Sequence, residues 1–353
     1  MPFWSEVEGG TLCELPISKR GRYIFPYPFM AVVANSGADI TDVRVPLHPP
    51  PEHGSLVLQT TIGCPWNRCL FCGSRRGEKF RPRSEEVKDD ILLAKETYGA
   101  RPTRIFLADG NSLVLRTDKL VEIVSLCFEE FPNLERVSTY GSARFIVRKG
   151  LDELKLLSQA GLKKIYLGLE TGDDELLKYM EKGATSEDMV NAATMARETD
   201  IELSVTVLMG LGGANSWKRN ATLTAKVLNT MRPPETRLHH LILRRSSPLY
   251  EVAKRGEFQE ASRHEILKEM RELISLLDYE TQLHTHRLTI RGPPIERRML
   301  EEKEDVLRIL DFALHHFYGE EVDAERIRGF SMSDILKWDG YEESSLLDYE
   351  DAS

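Results

Sequence analysis

Ser55-Leu-Val-Leu-Gln-Thr60-Thr-Ile-Gly-Cys64-Pro-Trp-Asn-Arg-Cys69-Leu-Phe-Cys72 sets a short apolar run directly before three cysteines. Ser55 to Thr60 reads as a buried strand, since an apolar run of this length bounded by turn-forming residues suits one. Three thiolates can hold a cubane iron-sulfur cluster while one iron keeps no protein ligand. A cluster that only carries electrons usually has four cysteines, and an open coordination position is how a metal site admits a substrate or cofactor. A structural zinc needs a fourth ligand that finger-like spacing does not supply here, because His53 lies upstream of the run. A disulfide fits poorly with an odd total of five cysteines and with an opening Met-Pro-Phe-Trp-Ser-Glu that shows no charged-then-apolar signal segment. A reducing, cytoplasmic setting is expected.

Downstream the pattern repeats. Further strands are expected at Arg104 to Ala108, Arg136 to Thr139, Lys164 to Leu169, Glu202 to Met209 and Leu238 to Leu243. Amphipathic helices fall between them, at Ser84 to Thr97, Thr117 to Phe131, Gly150 to Gln159, Asp173 to Met180, Ser186 to Thr199 and Trp217 to Met231. Six strands each joined to the next by a helix imply an α/β fold with a parallel sheet and right-handed crossovers, curled into a partial (β/α)6 TIM-like barrel. Chemistry in such folds sits at the carboxyl ends of the strands, where the cysteine run lands. Residues 1–54, rich in proline and aromatics, read as an irregular N-terminal extension. Residues 55–250 form the core, and 251–353 a C-terminal helical region ending in an acidic tail. The 353-residue chain carries a net charge of -9, which argues against wrapping bulk nucleic acid. No apolar run approaches the roughly 18 residues that span a bilayer, so a soluble protein is expected.

The cysteine run followed by six strand-helix units resembles the radical S-adenosylmethionine (SAM) enzymes over about residues 55–250. The family's common spacing puts three residues between the first two cysteines, whereas this chain has four, Pro65-Trp-Asn-Arg68. The resemblance implies that Cys64, Cys69 and Cys72 bind a 4Fe-4S cluster and that Phe71 lies over the SAM adenine. Ala108-Asp-Gly-Asn111 stands where the family has Gly-Gly-Glu, so Asp109 and Gly110 are expected at the SAM amino group; an ordinary Asp-Gly turn is the bland alternative. Ser138-Thr-Tyr-Gly-Ser-Ala-Arg144 brings Tyr140, Ser142 and Arg144 to the active face, Ser142 and Arg144 as candidates for the SAM carboxylate or ribose. Glu170 matches a strand-end acid that contacts SAM. Gly210 and Leu211 lie in the expected adenine-binding turn. Glu170, Arg144 and Tyr140 are the candidate catalytic side chains.

Gly168-Leu-Glu-Thr-Gly172, Lys182-Gly-Ala-Thr185 and Ser247-Pro-Leu-Tyr-Glu251 narrow the resemblance to coproporphyrinogen-oxidase-like or Elp3-like cores. The implied chemistry is reductive cleavage of SAM to a 5'-deoxyadenosyl radical that abstracts hydrogen from an unidentified, anionic small molecule, with a flavodoxin or ferredoxin as reductant. Modification of RNA or protein is the alternative within the family, and a noncatalytic iron-sulfur or zinc module the alternative outside it. Only Cys13 and Cys127 remain, too few for a second cluster, and no stretch suffices for a cobalamin domain. Arg75, Arg76, Lys79, Arg81, Arg83, Arg244 and Arg245 are candidate anion contacts. A solvated charged loop is the commoner role for such residues. His239-His240 and His284-Thr-His286 are candidate proton carriers or ligands, and a structural role is the expectation for each pair, since alternation turns one of two adjacent strand residues away from the site.

Overall fold

The computed structural model describes residues 23–24, 31–33, 47–285 and 295–329. Strands β1 (Tyr23–Ile24) and β2 (Ala31–Val33) precede β3 (Leu56–Gln59), β4 (Thr61–Ile62) and β5 (Arg81–Pro82). Helices and strands then alternate as α1 (Glu86–Tyr98), β6 (Arg104–Ala108), α2 (Thr117–Glu130), β7 (Arg136–Gly141), α3 (Ala143–Ala160), β8 (Leu162–Glu170), α4 (Asp174–Tyr179) with α5 (Ser186–Arg197), β9 (Glu202–Met209), α6 (Trp217–Met231) and β10 (Glu235–His240). They are followed by α7 (Pro248–Lys254), α8 (Arg263–Leu276), β11 (Gln282–Thr285), β12 (Glu296–Arg298) and α9 (Lys303–Tyr318).

Eight strands run parallel in the order β2-β3-β6-β7-β8-β9-β10-β11, with β1 and β12 antiparallel at the two edges. The six expected strands are the centre of this wider sheet, and both flanks of the 55–250 core contribute strands to it. β2 and β11 have three and four residues, too few to show a periodicity in sequence. The sixth expected strand sits three residues earlier than expected, because pairing with β9 begins directly after Pro233-Pro234 and ends at His240. α3 is two helical segments that meet at Gly150, whose φ of 73° and ψ of 172° are non-helical: the helix expected from Gly150 forms its second half, and a further segment from Ala143 precedes it. The expected acidic tail, and most of the N-terminal extension, lie outside the described residues.

Strand alternation divides the sheet into two faces. Leu56, Leu58, Ile105, Leu107, Ile165, Leu167, Val205, Val207 and Leu238 are fully buried and pack in one cluster with residues of the helices such as Ile91, Ile123, Leu154 and Leu228. Each such side chain contributes about 1.5–3 kcal/mol of burial. The opposite face holds a separate group, Val57, Phe106, Ala108 and Tyr166 with Tyr140 against them. Its rings meet edge-on, Phe106 to Tyr140 at 5.0 Å and Tyr140 to Tyr166 at 6.3 Å.

The loops support a curled sheet. β3 and β10 are five strand spacings apart, about 24 Å on a flat sheet. Yet Leu249 N–H, after β10, donates to the Leu70 carbonyl after β3 at 2.9 Å, and Leu70 N–H donates to the Met180 carbonyl after α4 at 3.0 Å. Gly73 lies so close to Ser246 that no Cβ would fit there. The sheet is thus an open barrel, and the cysteine loop lies across its carboxyl mouth. Among the described residues no helix is long and apolar enough to cross a membrane.

Candidate active site

The three cysteines leave β3 through β4, whose pairing with β5 closes a hairpin around the loop. All three are free thiols, Cys64 and Cys69 partly buried and Cys72 exposed. Burial pushes the Cys69 thiol up to about 11, against the charge of Lys182, and Cys69 also feels Cys72 and Cys64. Arg76 shapes the loop. Its guanidinium donates to the carbonyls of Asn67 at 2.8 Å, of Arg68 and Cys69 at 2.9 Å each, and of Cys72 at 3.4 Å. Hydrogen bonds from a charged donor are worth about 1.5–3 kcal/mol each at the strong end, so these turn a flexible run into a fixed one. Gly110 backs it from β6: a Cβ there would stand 2.5 Å from the Gly63 carbonyl oxygen and 2.6 Å from Cys64 Cα.

The four-residue first gap is filled by Trp66. Its indole N–H donates to the Glu181 carbonyl at 2.7 Å. The ring lies against Gly183, where a side chain would collide with it, and the Arg144 guanidinium covers it at 4.6 Å. Arg144, a candidate SAM clamp, therefore braces the cysteine loop by a cation–π contact.

Glu170 ends β8 at a bulge with φ 66°. Holding a non-glycine residue in the left-handed region costs on the order of 1–3 kcal/mol and is typical of functional positions. Its carboxylate turns back over Gly168, where a Cβ would strike it, to accept from Lys182 Nζ at 2.6 Å. Lys182 is mostly but not wholly buried, and although burial alone would lower its pKa, the charges of Glu170 and of the Cys69 and Cys72 sulfurs raise it. The ammonium also lies 5.8 Å from the Phe71 ring centre. Lys182, Glu170, Phe71, Cys69 and Cys72 thus form one neighbourhood.

Asp109 has partners within the protein. It accepts from Gln59 at 3.0 Å and pairs with Arg75 at 2.7 Å, and burial raises its pKa despite Arg75. It ties the segment after Cys72 to the end of β6. Ser142 accepts from the Asn111 amide at 3.0 Å. Tyr140 lies deeper, and burial raises its pKa. Leu211 packs in an apolar cluster with Met180, Leu241 and Leu249, against which Phe71 also rests.

Gly210, at φ 75°, donates its N–H to Glu269 on α8 at 2.9 Å. Glu269 also accepts from Asn220 on α6, which in turn meets Thr171 beside Glu170. This buried chain locks the ends of β8 and β9 together. Burial pushes the Glu269 carboxyl from 4.5 up to about 7, although Gly210 and Asn220 pull it down. A carboxyl with a raised folded-state pKa favours the protonated form on folding. Its stability contribution therefore falls as pH rises from about 4.5 to 7, by about 3 kcal/mol, and is level above that. Glu269→Gln should flatten the drop in thermal midpoint between pH 5.5 and pH 8; equal slopes in variant and wild type would show that another group carries it.

Of the candidate anion contacts, Arg75 and Arg76 serve the loop, Arg83 is buried against Asp90 and the Gln59 carbonyl, and Arg81 pairs with Glu86. Arg244 and Arg245 are exposed. His239 shares the inner face with Glu235 and Arg237, and His240 the helix-facing side with Leu238. His284 lies 3.4 Å from Glu296. His286 and Cys13 fall outside the described residues, and Cys127 is buried on α2. The sequence does not point to Glu269; it offers Arg76 only as an anion contact, and it shows Trp66 and Lys182 inside motifs without giving either a role. A charged residue beside the Gly168-to-Gly172 strand end was the available signal for Lys182.

Among the described residues no three or more His, Cys, Asp or Glu side chains converge on a single metal ion. The donor set on the loop is three thiols, which suits a thiolate-bound multi-iron group, and a buried cation beside them suits its negative charge.

Residues 58–224 match the family model of the radical SAM superfamily. A 4'-phospho-dehydrooxetanocin synthase of Priestia megaterium is 26% identical over 201 residues, 51% of this chain and 27% of that protein. A GTP 3',8-cyclase of Limosilactobacillus fermentum is 27% identical over 150 residues, 40% of this chain and 42% of that one. The chain thus spans less than half the length of these relatives. Among solved structures, methylornithine synthase (PylB) overlays with a TM-score of 0.47 at 19% identity, covering 64% of this chain and 63% of that one. With the cysteine run and strand-end motifs in the family's order, residues 58–224, just under half of this chain, form a domain that matches the radical SAM superfamily, whose enzymes use a 4Fe-4S cluster and SAM.

Proposed function

We propose that this enzyme cleaves SAM reductively and uses the resulting radical to take hydrogen from an anionic small molecule. The observation that carries the reading is the three-thiol loop, fixed across the barrel mouth against Gly110 and beside the Lys182–Glu170 pair. Cys64, Cys69 and Cys72 would hold the cluster. When bound, the reduced cluster supplies the electron that splits SAM into methionine and a 5'-deoxyadenosyl radical, which becomes 5'-deoxyadenosine on taking a substrate hydrogen.

The protein's part is orientation and exclusion of water. Phe71 offers an aromatic face for the adenine. Glu170 and Lys182 present opposite charges matching the amino and carboxylate groups of SAM, with Ser142 and the Asp109-Gly110 turn on the other side of the loop. The turn at Gly210 and Leu211, held by Glu269, borders the adenine side. An anionic substrate accords with the names of the two relatives, one a 4'-phospho compound synthase and the other acting on GTP. A low-potential flavodoxin or ferredoxin is the expected electron donor.

The test is anaerobic reconstitution with iron and sulfide, reduction by dithionite, and quantification of 5'-deoxyadenosine from added SAM. Formation of 5'-deoxyadenosine that depends on the cluster and stops on exposure to air is expected. A cluster-loaded protein that binds SAM and never cleaves it with any reductant would sink the proposal.

A further inference from the structure

The inner face of the barrel changes character along its depth. At the amino-terminal level Lys164, Tyr166, Ser204 and Glu235 are all less than a tenth exposed. Toward the carboxyl mouth the inward positions Tyr140, Gly168, Thr206, Leu208 and His239 become partly exposed, while their helix-facing neighbours Leu167, Val205, Val207 and Leu238 stay buried. Arg237 lies at the base of the open level, opposite Thr206 in register and 7% exposed. It is the floor of the open part.

Charge at this floor does not balance. Glu235 accepts from Lys164, from Ser204 at 2.9 Å and from Arg237 Nη1 at 2.9 Å. Burial would raise its pKa, but Lys164 and then Arg237 pull it down to about 2, so it is a carboxylate. Two cations therefore share one anion. The nearby acids are already matched, Glu52 by Arg136 at 2.9 Å and Asp109 by Arg75 at 2.7 Å, and His284 stands 4.0 Å from Glu235. Among the described residues Glu235 is the only hydrogen-bond partner of the Arg237 guanidinium. An unmatched buried charge is costly, and a guanidinium with one edge unused has the shape for a carboxylate or phosphate.

We infer that Arg237 anchors an anionic group of the substrate, a carboxylate or phosphate, at the floor of the barrel's open inner face. This rests on the proposed function and names the residue behind its substrate class. Arg237 sets the depth at which the substrate stops, leaving the rest of it to rise past Thr206 and His239 toward the cysteine loop.

The test titrates the cluster-reconstituted protein with inorganic phosphate and, separately, with succinate, by calorimetry. Either anion binding to the wild type and about tenfold or more weaker binding to Arg237→Gln are expected, the stronger anion identifying the group. Glu235→Gln should bind severalfold tighter, because it removes the competing carboxylate and keeps both cations. Equal affinity in wild type and Arg237→Gln, or no binding of either anion to the wild type, overturns the inference. If Arg237→Gln does not fold, Glu235→Gln decides, and unchanged or weaker affinity there overturns it. A wild type that cleaves SAM but shows no Arg237-dependent anion site refutes this inference alone; one that binds the anion through Arg237 yet never cleaves SAM refutes the proposed function alone.

Discussion

Cys69→Ala is expected to give a folded protein without a 4Fe-4S cluster and without 5'-deoxyadenosine formation. The thiol is partly buried on a surface loop, so its removal leaves the sheet and helices intact and the thermal midpoint of the ligand-free protein nearly unchanged. On the proposed function, what is lost is one of three thiol ligands, the one between Cys64 on the Gly110 side and Cys72 on the exposed side. Outer-shell partners of a metal site typically cost about 10- to 100-fold in affinity or activity when removed. A direct ligand should exceed that, so SAM cleavage should fall by more than about 100-fold. Iron and sulfide analysis after anaerobic reconstitution, with the 5'-deoxyadenosine assay, checks both halves. A variant that keeps full cluster content and turnover would mean that Cys69 is not a ligand.

Gly110→Ala should reach a similar end without touching a ligand. Gly110 needs no unusual backbone angle; its importance lies in what its missing Cβ would meet. The added methyl would stand 2.5 Å from the Gly63 carbonyl oxygen and 2.6 Å from Cys64 Cα, both backbone atoms. Real Cβ contacts are not that short, and no flexible side chain can yield. The cysteine loop must therefore move off β6, carrying Cys64 with it. Overpacking costs typically 1–3 kcal/mol, about a fivefold to 150-fold change in an equilibrium. Cluster retention after desalting should drop by at least about fivefold on that scale, while far-UV circular dichroism stays near wild type. Wild-type iron content in the variant would show that the loop can settle elsewhere without cost.

The central strands were legible because most of them carry apolar residues at strand spacing and lie between helices with a clear apolar stripe. β2 and β11 escaped for lack of length. The site was legible only where a residue type announces itself. Cysteines at short spacing do so, and a glutamate ending an apolar strand does so. Arg76 does not, because one more arginine in a run of cations looks like a solvated loop until its guanidinium is seen on four carbonyls. Asp109 was read from its place in a motif. Its carboxylate proves to be occupied by Gln59 and Arg75, a pairing across fifty and thirty-four positions that no local pattern reveals. The inner charged layer of Lys164, Glu235 and Arg237 shows in sequence only as polar residues interrupting strands.

The hydrogen bond from Leu249 to Leu70 has a consequence for the order in which the molecule is built. It joins the cysteine loop to a helix that follows the sixth helix-linked strand, so nearly the whole core separates the two ends in sequence. Contacts of such separation form late, after the entropy of closing the intervening chain has been met. During synthesis the three thiols emerge early and lack this support until β10 and α7 have left the ribosome. The fixed arrangement of the three thiols is therefore a property of the finished barrel, and on the proposed function iron and sulfide would meet it only once the chain that carries Arg237 has folded behind them.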